Sequence, residues 1–452
     1  MASAADALSL APIEAAPVPV GRHYEYRRCD ELGRGAYGVV YAGVDTRDGS
    51  RVAVKQYSFP RGLRESDEGI PASTVKEVSL LKELAKHPHH NVLQLRDAVL
   101  NAGGAAPTLT LVMELCEGSD LQTELSRLRR RRRHADSRAA AASDGGAFVA
   151  GTASGGALAA TVSGGSAAAG GSSGLSPAYP GLPPALARSY TYQLLAAVAH
   201  LHARGITHRD IKPANLLLSG DKQTLKLADF GLAAVEGVGV KKYAHEVQTL
   251  WWRAPEAILG SVNLGRAIDL WSVGAVFAEM AVGDVVFRGL DGPGSQLEEI
   301  FKKLGAPTEA SWPGLTALPR YAELFPAAAR RATAAGPACG AAFAASLEAV
   351  VGREGMHLVH RLLQVAPCER AISAADALVH PYFTGYVPSA AIGGAVPAEL
   401  LDAVASVARA TADDDSDSDG VDDDAGDAAP SCSFLGAPPM AEPAAGGGPA
   451  TP

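Results

Sequence analysis

The sequence predicts an α+β chain with two lobes: a small antiparallel β-sheet carrying one main helix, followed by a larger, mainly helical part. Three observations predict it. Strand patterns separated by turn signals fill residues 24–58 as YEYRRCDEL, VVYAGVDT and RVAVKQYS. Apolar residues at Val75, Val78, Leu81 and Leu84 then recur at helical spacing, and LTLVMEL at 109–115 reads as a short buried strand. From residue 185 onward helical patterns dominate, as in SYTYQLLAAVAHLHARG and AIDLWSVGAVFAEMAVG.

Stretches rich in Ala, Gly, Ser, Pro or one sign of charge set the limits of the folded part. Residues 1–22 are expected to be a disordered extension and 387–452 a low-complexity acidic tail. The folded domain is expected at 23–386, with an N-lobe at 23–115, a C-lobe at 116–386 and a disordered insertion at about 129–181. Such an insertion is tolerated because loop-closure entropy grows only logarithmically with length.

The formal charge of −9 and pI near 5.8 give no reason to expect nucleic-acid binding. Five cysteines, far apart and in no zinc-binding spacing, suggest a reducing compartment. The first twenty residues lack the basic start and apolar run of a secretory signal, and no run of eighteen apolar residues appears, so no membrane association is expected.

Gly33-Arg34-Gly35-Ala36-Tyr37-Gly38 followed by Val39-Val40 fits G-x-G-x-x-G-x-V between two predicted strands. There, backbone N–H groups can approach phosphate oxygens without side-chain obstruction. Alone the motif is equally a tight hairpin turn, and a dinucleotide fold is disfavoured because no helix follows the glycines. Fifteen residues after Val40, Lys55 ends the apolar strand Val52-Ala53-Val54 and can place its ammonium on two phosphates. Its expected partner is Glu77 on the next helix. At about 4 Å and an effective dielectric near 20, such a pair interacts by roughly 4 kcal/mol before desolvation. Taken separately, each is also an ordinary surface charge.

His208-Arg209-Asp210-Ile211-Lys212-Pro213-Ala214-Asn215 is more specific. Asp210 can accept a hydroxyl proton, Lys212 can balance charge on a transferring phosphoryl group, and Asn215 can bind Mg²⁺. Asp229-Phe230-Gly231 follows an LKLA strand and supplies a second oxygen ligand for the metal. A lone DFG could be a turn; in this order and spacing the motifs support one another. Ala254-Pro255-Glu256 closes the segment that begins at Asp229, and Arg370 is placed to pair with Glu256.

With these residues the chain resembles the eukaryotic protein kinases, and within them the cyclin-dependent kinases, over about residues 24–386 apart from the insertion. PASTVKE at 71–77, HEVQTLWWRAPEAILG at 245–260, IDLWSVGAVFAEM at 268–280 and ALVHPYF at 377–383 carry the likeness. The resemblance implies a bilobal protein kinase fold and transfer of the γ-phosphoryl of ATP, with Mg²⁺, to Ser or Thr of protein substrates. It implies catalytic roles for Asp210, Lys212, Lys55, Glu77 and Thr249. It also implies nucleotide contacts from the glycine loop, from Val40, Ala53 and Leu217, from the Met113 gatekeeper, and from the hinge Glu114-Leu115-Cys116. A cyclin-like subunit would dock around Pro71–Glu77, and Arg253 would favour Pro after the phosphorylated residue, although alone it reads as a surface salt bridge. A cyclin-independent kinase of the same group and a pseudokinase scaffold are the alternatives.

Several positions depart from the family pattern. Ala244 stands where relatives carry a phosphorylatable Thr, Lys76 and Ala234 replace two of the three arginines that hold that phosphate, and Arg209 alone remains. Lys weakens and Ala removes such a clamp. The segment is therefore expected to order without phosphorylation. Ala36 replaces an inhibitory phosphate acceptor while Tyr37 keeps its neighbour. Arg129–Arg133 resembles a nuclear-import signal or is a solvated charge run, giving nucleus and/or cytoplasm as the expected location. The acidic run at 413–427 presents Ser416 and Ser418 to acidophilic kinases.

Overall fold

The computed structural model describes residues 16–35, 38–57, 72–101, 108–144, 181–236, 250–262, 264–336, 338–370 and 372–386. Ala36, Tyr37, Pro71, Tyr243, Ala244 and Thr249 lie outside the described residues, as do most of the insertion and the whole tail. The described residues fall into two compact units.

The first unit is a six-stranded antiparallel sheet with strands β1 (Pro17–Val20), β2 (Tyr24–Gly35), β3 (Gly38–Asp45), β4 (Arg51–Tyr57), β5 (Leu95–Asn101) and β6 (Thr108–Glu114), in the order β1-β2-β3-β4-β6-β5. Alternation along the strands gives the sheet two characters. One face packs Val39, Tyr41, Val52, Val54 and Val112 with Tyr24 and Tyr26 in a hydrophobic cluster. The other carries Val40, Ala53, Lys55 and Met113, which the register places opposite one another as Val40↔Lys55 and Ala53↔Met113. Helix α1 (Ala72–Ala85) contributes its N-terminal half to this unit.

Two sequence expectations change here, and α1 forms over the helical spacing with one of its apolar residues outward. The extension at 1–22 was expected to be disordered, yet Pro17–Val20 pairs with β2 at the sheet edge. Prolines suit an edge because they withhold only donors that an inner strand would need, and Val20 is buried. Val75 belongs to the helical apolar spacing of α1 but is 49% exposed, while Leu80, Leu81 and Leu84 are buried. Residues 79–93, assigned by sequence to the N-lobe, group with the second unit. Asn91 explains this: its amide donates to Gln193 Oε1 at 2.8 Å and to Leu225 O at 2.9 Å.

The second unit is mainly helical. It contains α2 (Leu121–Asp144), α3 (Pro184–His202), α4 (Pro255–Ile258), α5 (Ala267–Val282), α6 (Pro293–Leu304), α7 (Tyr321–Ala334), α8 (Ala338–Leu362, kinked at Gly352) and α9 (Ala374–Leu378). Two small hairpin-like pairs accompany them: β7 (Ile206–Thr207) with β10 (Ala234–Val235), and β8 (Leu216–Leu218) with β9 (Leu225–Leu227). Helix α5 is the core, with Trp271, Val276 and Phe277 fully buried. It stops at Gly283, whose left-handed φ of 75° is a conformation glycine adopts without strain.

Helix α2 corrects the start of the insertion. Asp120 caps it by accepting Thr123 N–H at 2.9 Å, and the helix then runs through the arginine stretch to Asp144. Arginine and alanine favour helix, so the sequence from 129 to 144 extends α2 rather than opening a loop. Among the described residues no single helix is long and apolar enough to cross a membrane.

Candidate active site

In the first unit the glycine loop is the turn from β2 to β3, with Gly33 opposite Val40 and Gly35 opposite Gly38. A Cβ at Gly38 would lie 2.0 Å from Gln56 O on β4, so only glycine lets these strands pair. Arg34 points outward and is tied to Glu31 at 2.9 Å. Lys55 reaches α1, where its Nζ meets Glu77 Oε1 at 2.9 Å. Its ammonium also lies 5.0 Å from the centre of the Tyr57 ring. Glu77 is buried, and such a carboxylate is kept charged only by a close cation. Glu114 closes β6; its N–H donates to Gln94 O at 3.0 Å and its Oε1 accepts Gln94 N–H at 2.8 Å. Val40, Ala53 and Met113 stand on the same face as Lys55, and Cys116 belongs to the second unit.

In the second unit Asp210, Lys212 and Asn215 come together on the loop between β7 and β8. Lys212 Nζ donates to Asp210 Oδ2 at 2.9 Å. Asn215 Nδ2 donates to the same oxygen at 3.0 Å and to the Asp210 carbonyl at 2.7 Å. These bonds occupy the Asn215 amide N–H groups and leave its side-chain oxygen as an acceptor. Asp229 follows β9, in a left-handed conformation with φ 65°. Phe230 is buried and packs edge-on against His208 at 5.1 Å. His208 links the two loops: Asp210 N–H donates to its Nδ1 at 3.3 Å, so Nε2 carries the proton and donates to Ala228 O at 3.1 Å. Leu217 on β8 lies opposite Lys226. Arg370 meets Glu256 through two bonds of 2.7 and 3.2 Å, the pair the sequence anticipates.

The sequence gives no role to three residues that hold this loop and its surroundings. Asp269, fully buried near the start of α5, accepts N–H from His208 and Arg209, each at 2.8 Å. It also lies 2.9 Å from His202 Nε2. A carboxylate in the first turn of an otherwise apolar stretch of helix is the available signal, since an acid buried there must find partners. Trp252 and Glu279 are the others: the indole N–H donates to Glu279 Oε2 at 2.7 Å. Trp252, Arg253, Ser272, Asp210 and Lys212 line one shallow depression.

Arg129, expected within an exposed charge run, is instead bonded. Its guanidinium contacts Glu279 and donates from Nε to Gly283 O at 2.9 Å. Burial pushes the Glu279 carboxyl above its ordinary pKa, and the Arg129 charge opposes that rise. Arg130, Arg132 and Arg133 remain exposed. At the three positions where the family pattern places the phosphate clamp, Ala234 is buried on β10, Lys76 is exposed on α1, and Arg209 donates to Leu264 O at 3.3 Å.

The protein kinase domain model matches residues 26–143 and 173–383. It passes over 144–172, which agrees with α2 reaching Asp144. Cell division control protein 2 homolog 1 of Trypanosoma brucei brucei is 34% identical over 360 residues, covering 79% of this chain and 98% of that protein. A chain of the CAK complex of Chaetomium thermophilum, solved bound to ATP-gamma-S, superposes with a TM-score of 0.57 at 27% identity, covering 80% of this chain and 91% of that one. The chain belongs to the protein kinase family and is a Ser/Thr protein kinase of the cyclin-dependent type.

Proposed function

We propose that this kinase transfers the γ-phosphoryl group of ATP to Ser or Thr hydroxyls that precede Pro, using Mg²⁺ and a cyclin-like subunit, in cell-cycle or transcription control. The observation that carries the reading is the convergence of Lys212 and Asn215 on Asp210. Both bonds fall on Oδ2, so Oδ1 is the oxygen to receive the substrate hydroxyl proton as the oxygen attacks phosphorus. Lys212 then stands beside the charge that builds on the transferring group. Lys55, oriented by Glu77, pairs with the non-transferring phosphates, and the glycine loop offers backbone N–H groups to them. In the first unit Val40, Ala53 and Met113 offer apolar contact to the base, and Glu114 offers its backbone.

The donor set fits a hard cation. Asn215 and Asp229 supply oxygens, and the Asn215 amide N–H groups already point to Asp210. When bound, Mg²⁺ neutralises phosphate charge; these two residues would hold it.

Exposed Val75 and Lys76 near the start of α1 support docking of a protein partner there. Arg253 in the depression beside Asp210 supports the preference for Pro. The burial of Ala234 and the exposure of Lys76 support activation without a phosphate on the 237–249 segment. Exposed Arg130, Arg132 and Arg133 support import into the nucleus.

The test is purification of the full chain from cells with its bound proteins, then assay on Ser-Pro and Ser-Ala peptides with Mg-ATP. Asp210→Asn is the control. Activity on Ser-Pro that needs the co-purified subunit and is lost in Asp210→Asn supports the reading. Equal activity on both peptides, or activity without a partner, overturns the corresponding part. No transfer at all by the wild-type complex overturns the whole.

A further inference from the structure

The Trp252 indole has one polar atom, a single N–H donor, and that donor goes to Glu279 Oε2 at 2.7 Å. The Trp252 backbone is held separately, its carbonyl accepting Ser272 Oγ–H at 2.8 Å. Glu279 is therefore the whole polar anchor of the indole. The carboxylate is itself buried, 1% exposed, in the last turn of α5, and depends on a cation to stay charged there. Arg129 supplies that cation from α2, the helix that leads into residues 145–180, and a bond to Gly283 O fixes its fork. At the other end of this chain of contacts, Trp252 and Arg253 line the depression that Asp210 and Lys212 also line.

We propose that Arg129 is a positioning residue for the phosphoacceptor peptide, fixing the Trp252 indole through the Glu279 carboxylate and so shaping the depression beside Asp210 and Lys212. The inference rests on the kinase reading above. It goes further by giving the base of the insertion a part in peptide binding. Arg129 touches neither peptide nor nucleotide in this account. Its loss leaves Glu279 buried without a cation; the carboxyl then takes a proton or draws in water, and the indole loses its fixed acceptor.

The test compares the full-chain complex as wild type, Arg129→Met, Arg129→Lys, and the double variant Arg129→Met with Glu279→Gln. Peptide KM, ATP KM and kcat are measured for each, with thermal melting to score the folded fraction. Arg129→Met is expected to raise peptide KM about fivefold to tenfold, with ATP KM and kcat within about twofold. Arg129→Lys keeps the charge but loses the fork, and its peptide KM is expected to rise about twofold to threefold. The double variant restores a neutral acceptor for the indole and is expected to return peptide KM to within about twofold of wild type. A merely structural role would lower the melting temperature without this KM-selective loss and recovery. An unchanged peptide KM in Arg129→Met overturns the proposal, as does an equal change in ATP KM or kcat. If Arg129→Met fails to fold, an unchanged peptide KM in Arg129→Lys overturns it. Wild-type activity in the same assay separates these results from a failure of the kinase reading itself.

Discussion

Asp269 Oδ1 accepts the backbone N–H of Arg209 at 2.8 Å, and Arg209 is one of three described non-glycine residues with positive φ, at 71°. The two facts belong together. A left-handed conformation costs a non-glycine residue about 1–3 kcal/mol and persists only when neighbours hold it. Asp269 does so from the fully buried start of α5, binding His208 N–H with its other oxygen at 2.8 Å. The loop that carries Asp210 is thus fastened to the buried helix at the core of its unit.

Asp269→Asn replaces one acceptor oxygen with an N–H₂ group that faces a backbone N–H. The expected cost is about 2–3 kcal/mol of unfolding free energy, read from urea titration. Because Asp210 follows Arg209 directly, misplacement of the loop is expected to lower kcat by about a hundredfold with little change in ATP KM. Normal kcat in a variant destabilised this much would show that Asp269 supports the fold and not the loop.

Lys55 and Glu77 give a prediction of another kind. Their 2.9 Å contact joins β4 to α1 with Glu77 buried. Lys55→Met is expected to destabilise by about 3 kcal/mol because it strands a buried carboxylate, and to reduce kcat/KM for ATP on the order of a hundredfold or more. Adding Glu77→Gln removes the stranded charge. The double variant is then expected to recover most of the stability and none of the activity. Recovery of neither would mean the pair stabilises through packing alone.

What the sequence makes legible is what sits close together along the chain. Asp210, Lys212 and Asn215 span six residues of one loop, and their contacts follow from a turn and a 3₁₀ helix at Pro213–Asn215. Lys55 and Glu77 are legible because a strand-ending Lys and a helix-facing Glu need each other. Asp269 is not, since its partners lie 60 and 61 residues away and nothing along its own helix points to them. Arg129 is misread for the same reason: a charge run looks alike whether solvated or paired, and its partner Glu279 is 150 residues distant. The β1 edge strand is hidden by its prolines, which depress strand propensity without preventing edge pairing.

Arg370 and Glu256 are both buried and joined by two bonds, and Arg370 also donates to Gln364 O and Ala267 O while its guanidinium lies 5.2 Å from the Trp271 ring centre. Five hydrogen bonds and a ring contact to one guanidinium leave no substitute. Arg370→Leu is expected to cost about 3–5 kcal/mol by leaving Glu256 charged and unpaired, seen as a large drop in the urea midpoint. Arg370→Lys cannot reproduce the fork and should lose more than half of that. A loss under about 1 kcal/mol in Arg370→Leu would show that water or a rearranged neighbour takes over the carboxylate.

His89 sets a pH dependence. Burial, followed by the positive neighbours His200, His90, Lys226 and Arg204, pushes its pKa down from 6.5 to about 4. The geometry agrees: its Nδ1 accepts Asn91 N–H at 3.1 Å, which an imidazolium cannot do, and its ring sits 4.7 Å from that of His200. The folded state thus binds this proton less readily than the unfolded chain. Its contribution to stability is present above the unfolded value of 6.5 and is lost as pH falls through about 4. His89→Gln keeps an acceptor without the titration. Between about pH 7 and about pH 5 the wild type is expected to lose more unfolding free energy than His89→Gln, measured by urea titration at both values. Equal losses would assign the acid sensitivity to other groups, and His200, whose pKa burial also lowers, would be the next to replace.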